Sequence, residues 1–148
     1  MTNITEQNTD LFKVDTSYAL GHCVGADFIM GAGIATEFKK RFKNQKYLIE
    51  NNRGVGTCIL LDNPNNNEWK NIFYLVTKPY SRSSKPTYES LELSLKDMFQ
   101  QIKDKNIKKI AIPKIGCGLD GLEWNNVKEI IQRLKPDDLE ILICVLVR

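Results

Sequence analysis

The chain has 148 residues, 42% of them hydrophobic and 26% charged, with a formal net charge of +3. That length and balance describe one globular domain with a sizeable core, and so small a net charge does not make the basic stripe of a dedicated nucleic-acid binder. The basic stretches EFKKRFKNQK and KNIKK are of the kind that ordinarily solvate a surface.

From the N-terminus, MTNITEQNTD is polar and lacks the apolar segment of a signal peptide. SYALGHCV (17–24) reads as a short buried strand ending near His22. In GAGIATEFKKRF (31–42), Ile34, Phe38 and Phe42 recur every fourth residue with basic residues opposite, which predicts a helix. VGTCILLD (55–62) and NIFYLVTK (71–78) are β-rich runs separated by the turn composition NPNNN (63–67), so a hairpin is expected. A long amphipathic helix follows, with Pro86 in its first turn and Tyr88, Leu91, Leu95, Met98 and Ile102 on one face. IKKIAIP (107–113) is a strand, and LEWNNVKEIIQRLK (122–135) is a helix with Trp124, Val127, Ile131 and Leu134 facing one way. LEILICVLV (139–147) has the continuous apolarity of a strand covered on both faces. Without repeats or linkers, residues 1–148 read as one domain. Alternating strands and helices predict a three-layer α/β/α architecture with a mixed, mostly parallel sheet.

Several chemistries are disfavoured at once. No apolar run approaches the ~20 residues of a membrane span. Cys23, Cys58, Cys117 and Cys144 form no C-x-x-C pair, so reduced thiols in a cytoplasmic setting are expected, or a nuclear one in a eukaryote. His22 is the only histidine, which removes H-E-x-x-H and multi-histidine metal sites. No nucleophile elbow accompanies it, so a hydrogen-bonded core role is expected for His22. Cys23 and Cys117 read as small packing residues. A metal-free mechanism that needs no cofactor is favoured.

Three features fall at the expected C-terminal ends of strands: HCVGADFIMGAGI, Lys78 in VTK, and PKIGCGLD. Ligands of open α/β sheets bind outside those ends. Two of the three are glycine-rich and feed into helices, where unpaired N–H groups and the positive dipole end suit a phosphate. Either alone could be a tight turn; two together suggest a diphosphate held between them. Gly116, Gly118 and Gly121 also spell G-x-G-x-x-G, with Glu140 where an acidic ribose-binding residue would fall. The motif lies so close to the end of the sequence that a dehydrogenase is not expected. No G-x-x-x-x-G-K-[ST] is present. A lysine is a nucleophile only when neutral; Lys78, ending an apolar strand, is placed for partial burial. Asp120 could serve as an acid/base or as a cap for the helix that follows.

Taken together, ITEQNTDLFKVDTSYALGHCVGADFIMGAGIATEFKKRF, FYLVTK, KPTYESLELSL and IPKIGCGLDGLEW resemble the macrodomain family, and within it the terminal ADP-ribose protein glycohydrolase branch. The resemblance runs over nearly the whole chain. It implies a mixed sheet between helices with ADP-ribose across the strand ends. Asp10 would bond the adenine amino group, Leu11 would touch the base, and Leu146 would pack beside it. Met30, Gly31, Ala32, Gly33 and Ile34 would shape the distal ribose and phosphate site. Lys114, Ile115, Gly116, Cys117, Gly118, Leu119 and Asp120 would wrap the diphosphate and distal ribose with backbone N–H groups.

In that branch the residue matching Lys78 attacks the anomeric carbon to form a lysyl-ADP-ribose adduct, and the one matching Asp120 acts as acid/base. The implied substrates are ADP-ribosylated proteins with ester links to acidic side chains, and O-acetyl-ADP-ribose. ADP-ribosylated nucleic acid is a further partner seen among related macrodomains, and a monomer without membrane association is expected. A non-catalytic ADP-ribose module, an ADP-ribose 1″-phosphate phosphatase and a DNA ADP-ribosyl glycohydrolase are the rival readings. The chain departs from the branch at Gly25, where members can carry serine, at Pro79, where a second basic residue can occur, and in the PYSRSS loop. These changes bear on which modified group is accepted.

Overall fold

The computed structural model describes residues 3–64 and 67–145. Its elements are β1 (Ile4–Gln7), β2 (Ala19–Gly25), α1 (Ile34–Phe42), α2 (Gln45–Glu50), β3 (Thr57–Asp62), β4 (Asn71–Lys78), α3 (Tyr88–Asp104), β5 (Lys109–Ile112), α4 (Trp124–Leu134) and β6 (Glu140–Cys144). Short 3-10 turns occupy Leu11–Lys13 and Gly118–Asp120. The six strands form one sheet in the order β1-β6-β5-β2-β4-β3. Every neighbouring pair is parallel except the β3–β4 hairpin, in which Thr57 faces Val76 and Asp62 faces Asn71. The expected mixed, mostly parallel sheet is observed.

Period-two alternation on central strands feeds two cores. Phe73 and Leu75 of β4 join Ile141 and Ile143 of β6 on the face covered by α3 and α4, where Leu91, Leu95, Met98 and Ile131 are buried. Ile72, Tyr74 and Val76 turn to the opposite face with Leu142, against Phe38 and Phe42 of α1. Each such side chain removed from water contributes roughly 1.5–3 kcal/mol, so the alternation fixes which face of the sheet each residue packs against.

Several expectations are corrected. β1 lies within a stretch of polar composition and becomes a strand by pairing with β6, Ile4 opposite Ile141. α2 was invisible in the periodicity because only Leu48 of its six residues is buried. β2 runs beyond His22 to Gly25. Pro86 precedes the long helix instead of opening it. Thr87 is the N-cap, its hydroxyl accepting from Ser90 N–H while the Ser90 hydroxyl accepts from Thr87 N–H. Tyr88 faces outward, its hydroxyl accepting from Glu123 N–H at 3.0 Å.

His22 is a core residue, but neither ring nitrogen has a hydrogen-bond partner among the described residues. Its imidazole stacks on Phe38 with centroids 3.6 Å apart and meets Tyr74 edge-on at 4.9 Å. Burial pushes its pKa down to about 3. The unfolded chain binds a proton here below about 6.5, whereas the folded chain stays neutral until about 3. Protons therefore favour unfolding in that window, and stability is lost as pH falls. Urea melts between pH 6 and 4.5 should show the wild type losing up to about 1.4 kcal/mol per pH unit more than His22→Leu.

Candidate active site

β2 and β4 are neighbours whose C-terminal ends meet at one point. Their register runs regularly from Leu20–Ile72 to Val24–Val76, then shifts so that Gly25 pairs with Lys78. The extra residue, Thr77, is a bulge that re-aims the side chain following it. Two buried serines of α3 brace the bulge: Ser90 donates to the carbonyl of Thr77 at 2.7 Å and Ser94 to that of Val76 at 2.9 Å. Lys78 is thereby directed at the turn after β5. Its ammonium donates to Asp120 Oδ1 at 2.7 Å, with only 14% and 19% of the two side chains exposed. Asp120 does not cap α4, whose N-cap is Glu123 without a side-chain bond.

This pair lies in a cleft of about 440 Å³. One wall is the β2–α1 loop with Met30, Gly31, Ala32, Gly33 and Ile34; another is the β5–α4 loop with Cys117, Leu119 and Asp120. Cys23, Val24 and Gly25 from β2 and Ser81, Arg82, Ser84 and Lys85 from the β4–α3 segment complete it. The N-cap of α1 is Gly33 at φ 59°, a backbone no branched residue holds cheaply, and no side chain caps the helix. The amides of residues 31 to 35 donate to no acceptor among the described residues, nor do those of Gly118 and Leu119. Two sets of unpaired N–H groups thus border one cleft, an arrangement that suits an anion.

The β2–α1 loop is held in an uncommon conformation. Phe28 and Met30 both have positive φ, 53° and 49°, while buried at 0% and 3% exposure. Packing over-determines them. The carbonyls of Ala26, Phe28 and Ile29 are taken up by Asn52, Gln45 and Lys39. Asp27 ties this loop to the segment across the cleft, accepting from Ser81 N–H at 2.9 Å and from the Ser81 hydroxyl. Burial raises the Asp27 pKa, but these bonds and that from Ile29 N–H outweigh it and hold the carboxyl below its usual value.

Of the remaining expected residues, Asp10 caps its 3-10 turn by accepting from Phe12 N–H at 2.9 Å, and Leu11 is buried in the α1 core. Ile115 is buried on the other face, and Gly116 is hidden behind the loop with its carbonyl accepting from Leu122 N–H at 2.9 Å. Gly118 opens the turn carrying Asp120, while the Lys114 ammonium lies over the Trp124 ring at 5.7 Å. Leu146 falls outside the described residues. Burial pushes the Cys23 thiol up to about 12 and also raises that of Cys117, which makes both poor nucleophiles. Sequence reasoning gave no individual role to Asp27, Ser81, Arg82, Ser84 or Lys85, because no motif marks a loop that crosses a cleft only after folding.

The fold and site define an α/β/α layered domain with an amide-lined cleft over its strand ends and a lysine–carboxylate pair inside it. The chain belongs to the Macro domain family, whose model matches residues 21–131. It is 36% identical to the human ADP-ribose glycohydrolase OARD1 over 97% of this chain and 91% of that protein. It is 32% identical to the DNA ADP-ribosyl glycohydrolase of Mycobacterium tuberculosis, covering 85% of this chain but 37% of that longer protein. Among solved structures, the macrodomain of Thermus aquaticus DarG superposes with a TM-score of 0.84 at 26% identity, covering 95% of this chain and 97% of that one.

The departure at Gly25 now has a steric reason. A Cβ there would lie 2.7 Å from the backbone nitrogen of Ser81 and 2.9 Å from its hydroxyl oxygen. Gly25→Ala should therefore displace the Ser81 segment, costing about 1–3 kcal/mol of stability as read by thermal or urea denaturation.

Proposed function

We propose that this protein is an ADP-ribosyl hydrolase that cleaves ADP-ribose from ester-linked acidic side chains through a lysyl intermediate. The observation that carries this reading is the 2.7 Å contact between Lys78 and Asp120 in the cleft bounded by the two glycine loops. The names of the human and mycobacterial relatives support the ADP-ribosyl bond as the one broken.

An amine attacks only after losing its proton, and the Asp120 carboxylate is in direct contact to accept it. The Lys78 nitrogen then forms a bond to C1″ of the distal ribose as the C1″–O bond to the modified side chain breaks. The leaving carboxylate departs with the electron pair. Ring opening of the adduct gives an imine, which borohydride can reduce. Water adds to C1″, Asp120 relays its proton to the departing amine, and free ADP-ribose and Lys78 are regenerated. Meanwhile the unpaired amides of residues 31–35 and of Gly118 and Leu119 would hold the diphosphate in place. Asp10, Leu11 and Leu146 are assigned to the adenine end. O-acetyl-ADP-ribose, another ester of the same ribose, is proposed as a small-molecule substrate.

Lys78→Ala should lower turnover by roughly 10²–10⁴-fold and abolish the adduct trapped by borohydride with ADP-ribose, as read by mass spectrometry. Asp120→Ala should lower turnover comparably. Full turnover in Lys78→Ala would remove this mechanism. A panel of Glu-, Ser- and Arg-linked proteins, modified DNA, O-acetyl-ADP-ribose and ADP-ribose 1″-phosphate should show the highest turnover on the Glu-linked ester.

A further inference from the structure

Four charged side chains line the cleft: Lys78, Arg82, Lys85 and Asp120. Lys78 and Asp120 pair with each other, and Lys85 donates to the carbonyl of Leu119. Arg82 makes no hydrogen bond or ion pair with any described residue. One of its guanidinium nitrogens lies 3.8 Å from where a Cβ on Gly31 would stand. Gly31 begins the run of unpaired amides that leads into α1. The only uncommitted cation of the cleft therefore borders its most donor-rich wall.

The segment bearing Arg82 is pinned on both sides. Ser81 is bound to Asp27 through its backbone and its hydroxyl, and Lys85 reaches the turn before Asp120. Between them Ser84 closes a local turn, donating to Tyr80 O at 2.6 Å and accepting from Tyr80 N–H at 2.9 Å. The absent side chain at Gly25 is what lets Ser81 sit against β2. Residues 79–86 thus form a strap from one glycine loop to the other, with Arg82 as its free side chain.

We infer that Arg82 is a substrate-binding residue that grips the diphosphate of ADP-ribose beside Gly31, and that Asp27 is its positioning residue. This rests on the ADP-ribose reading of the site. A guanidinium presents paired donors that match phosphate oxygens, and it remains charged at every working pH. With Lys78 and Asp120 cancelling, Arg82 and Lys85 leave the cleft an excess of two positive charges, the complement of a diphosphate. Arg82 replaces no contact of the unliganded protein, so its removal leaves the fold intact.

The test is calorimetric titration of the full chain with ADP-ribose and with adenosine, at low and high salt. Arg82→Ala should bind ADP-ribose about 10- to 100-fold more weakly, with a shallower salt dependence and unchanged Tm. Adenosine affinity should not move. Arg82→Lys should fall between, because an ammonium retains the charge but not the fork. Asp27→Asn should weaken ADP-ribose binding in the wild-type background and have no further effect on top of Arg82→Ala. Equal ADP-ribose affinity in wild type and Arg82→Ala would overturn the inference while leaving the site's reading intact, as would an equal loss for adenosine. A wild-type chain that does not bind ADP-ribose would overturn both.

Discussion

The site depends on where two strand ends meet. β2 and β4 are adjacent and parallel, so their C-terminal ends arrive together, and a single bulge at Thr77 shifts Lys78 into register with Gly25. Without that extra residue, alternation along β4 would send the lysine side chain to the opposite face. The bulge is not left to chance, since the carbonyls on either side of it are held by buried hydroxyls of α3. The hydrophobic packing of α3 on the sheet therefore sets the direction of a charged group.

The same geometry explains why the pair is tolerated in a half-buried place. A lone ammonium or carboxylate at 14% or 19% exposure would be costly. Direct contact between Lys78 and Asp120 offsets that cost, and it holds an ammonium and a carboxylate together in the cleft. The imidazole of His22 lacks such compensation among the described residues. It is buried on the neighbouring strand, and that burial disfavours its charged form. The fold thus buries its one imidazole away from the cleft that holds Lys78 and Asp120.

The cleft offers an anion backbone amides as well as the cations Arg82 and Lys85. The unpaired amides preceding α1 and opening the Gly118–Asp120 turn border one cleft. Such a site is compatible with a net charge of only +3. Strain at Phe28 and Met30 is held by packing and by side chains that accept the task of satisfying loop carbonyls. Mobility of that loop would forfeit the alignment of its amides.

The sequence by itself determined the layered architecture, because strand and helix periods are local properties written in neighbouring residues. It also determined the two glycine loops and the candidates Lys78 and Asp120, whose residue types and flanking motifs carry their chemistry. It could not reveal β1, whose polar residues become a strand only through pairing with β6, or the inward serines of α3. Nor could it join Gly25 and Asp27 to Ser81, which lies far along the chain and meets them over the end of β2. Contact between distant residues depends on strand order and register, and these exist only once the sheet has formed.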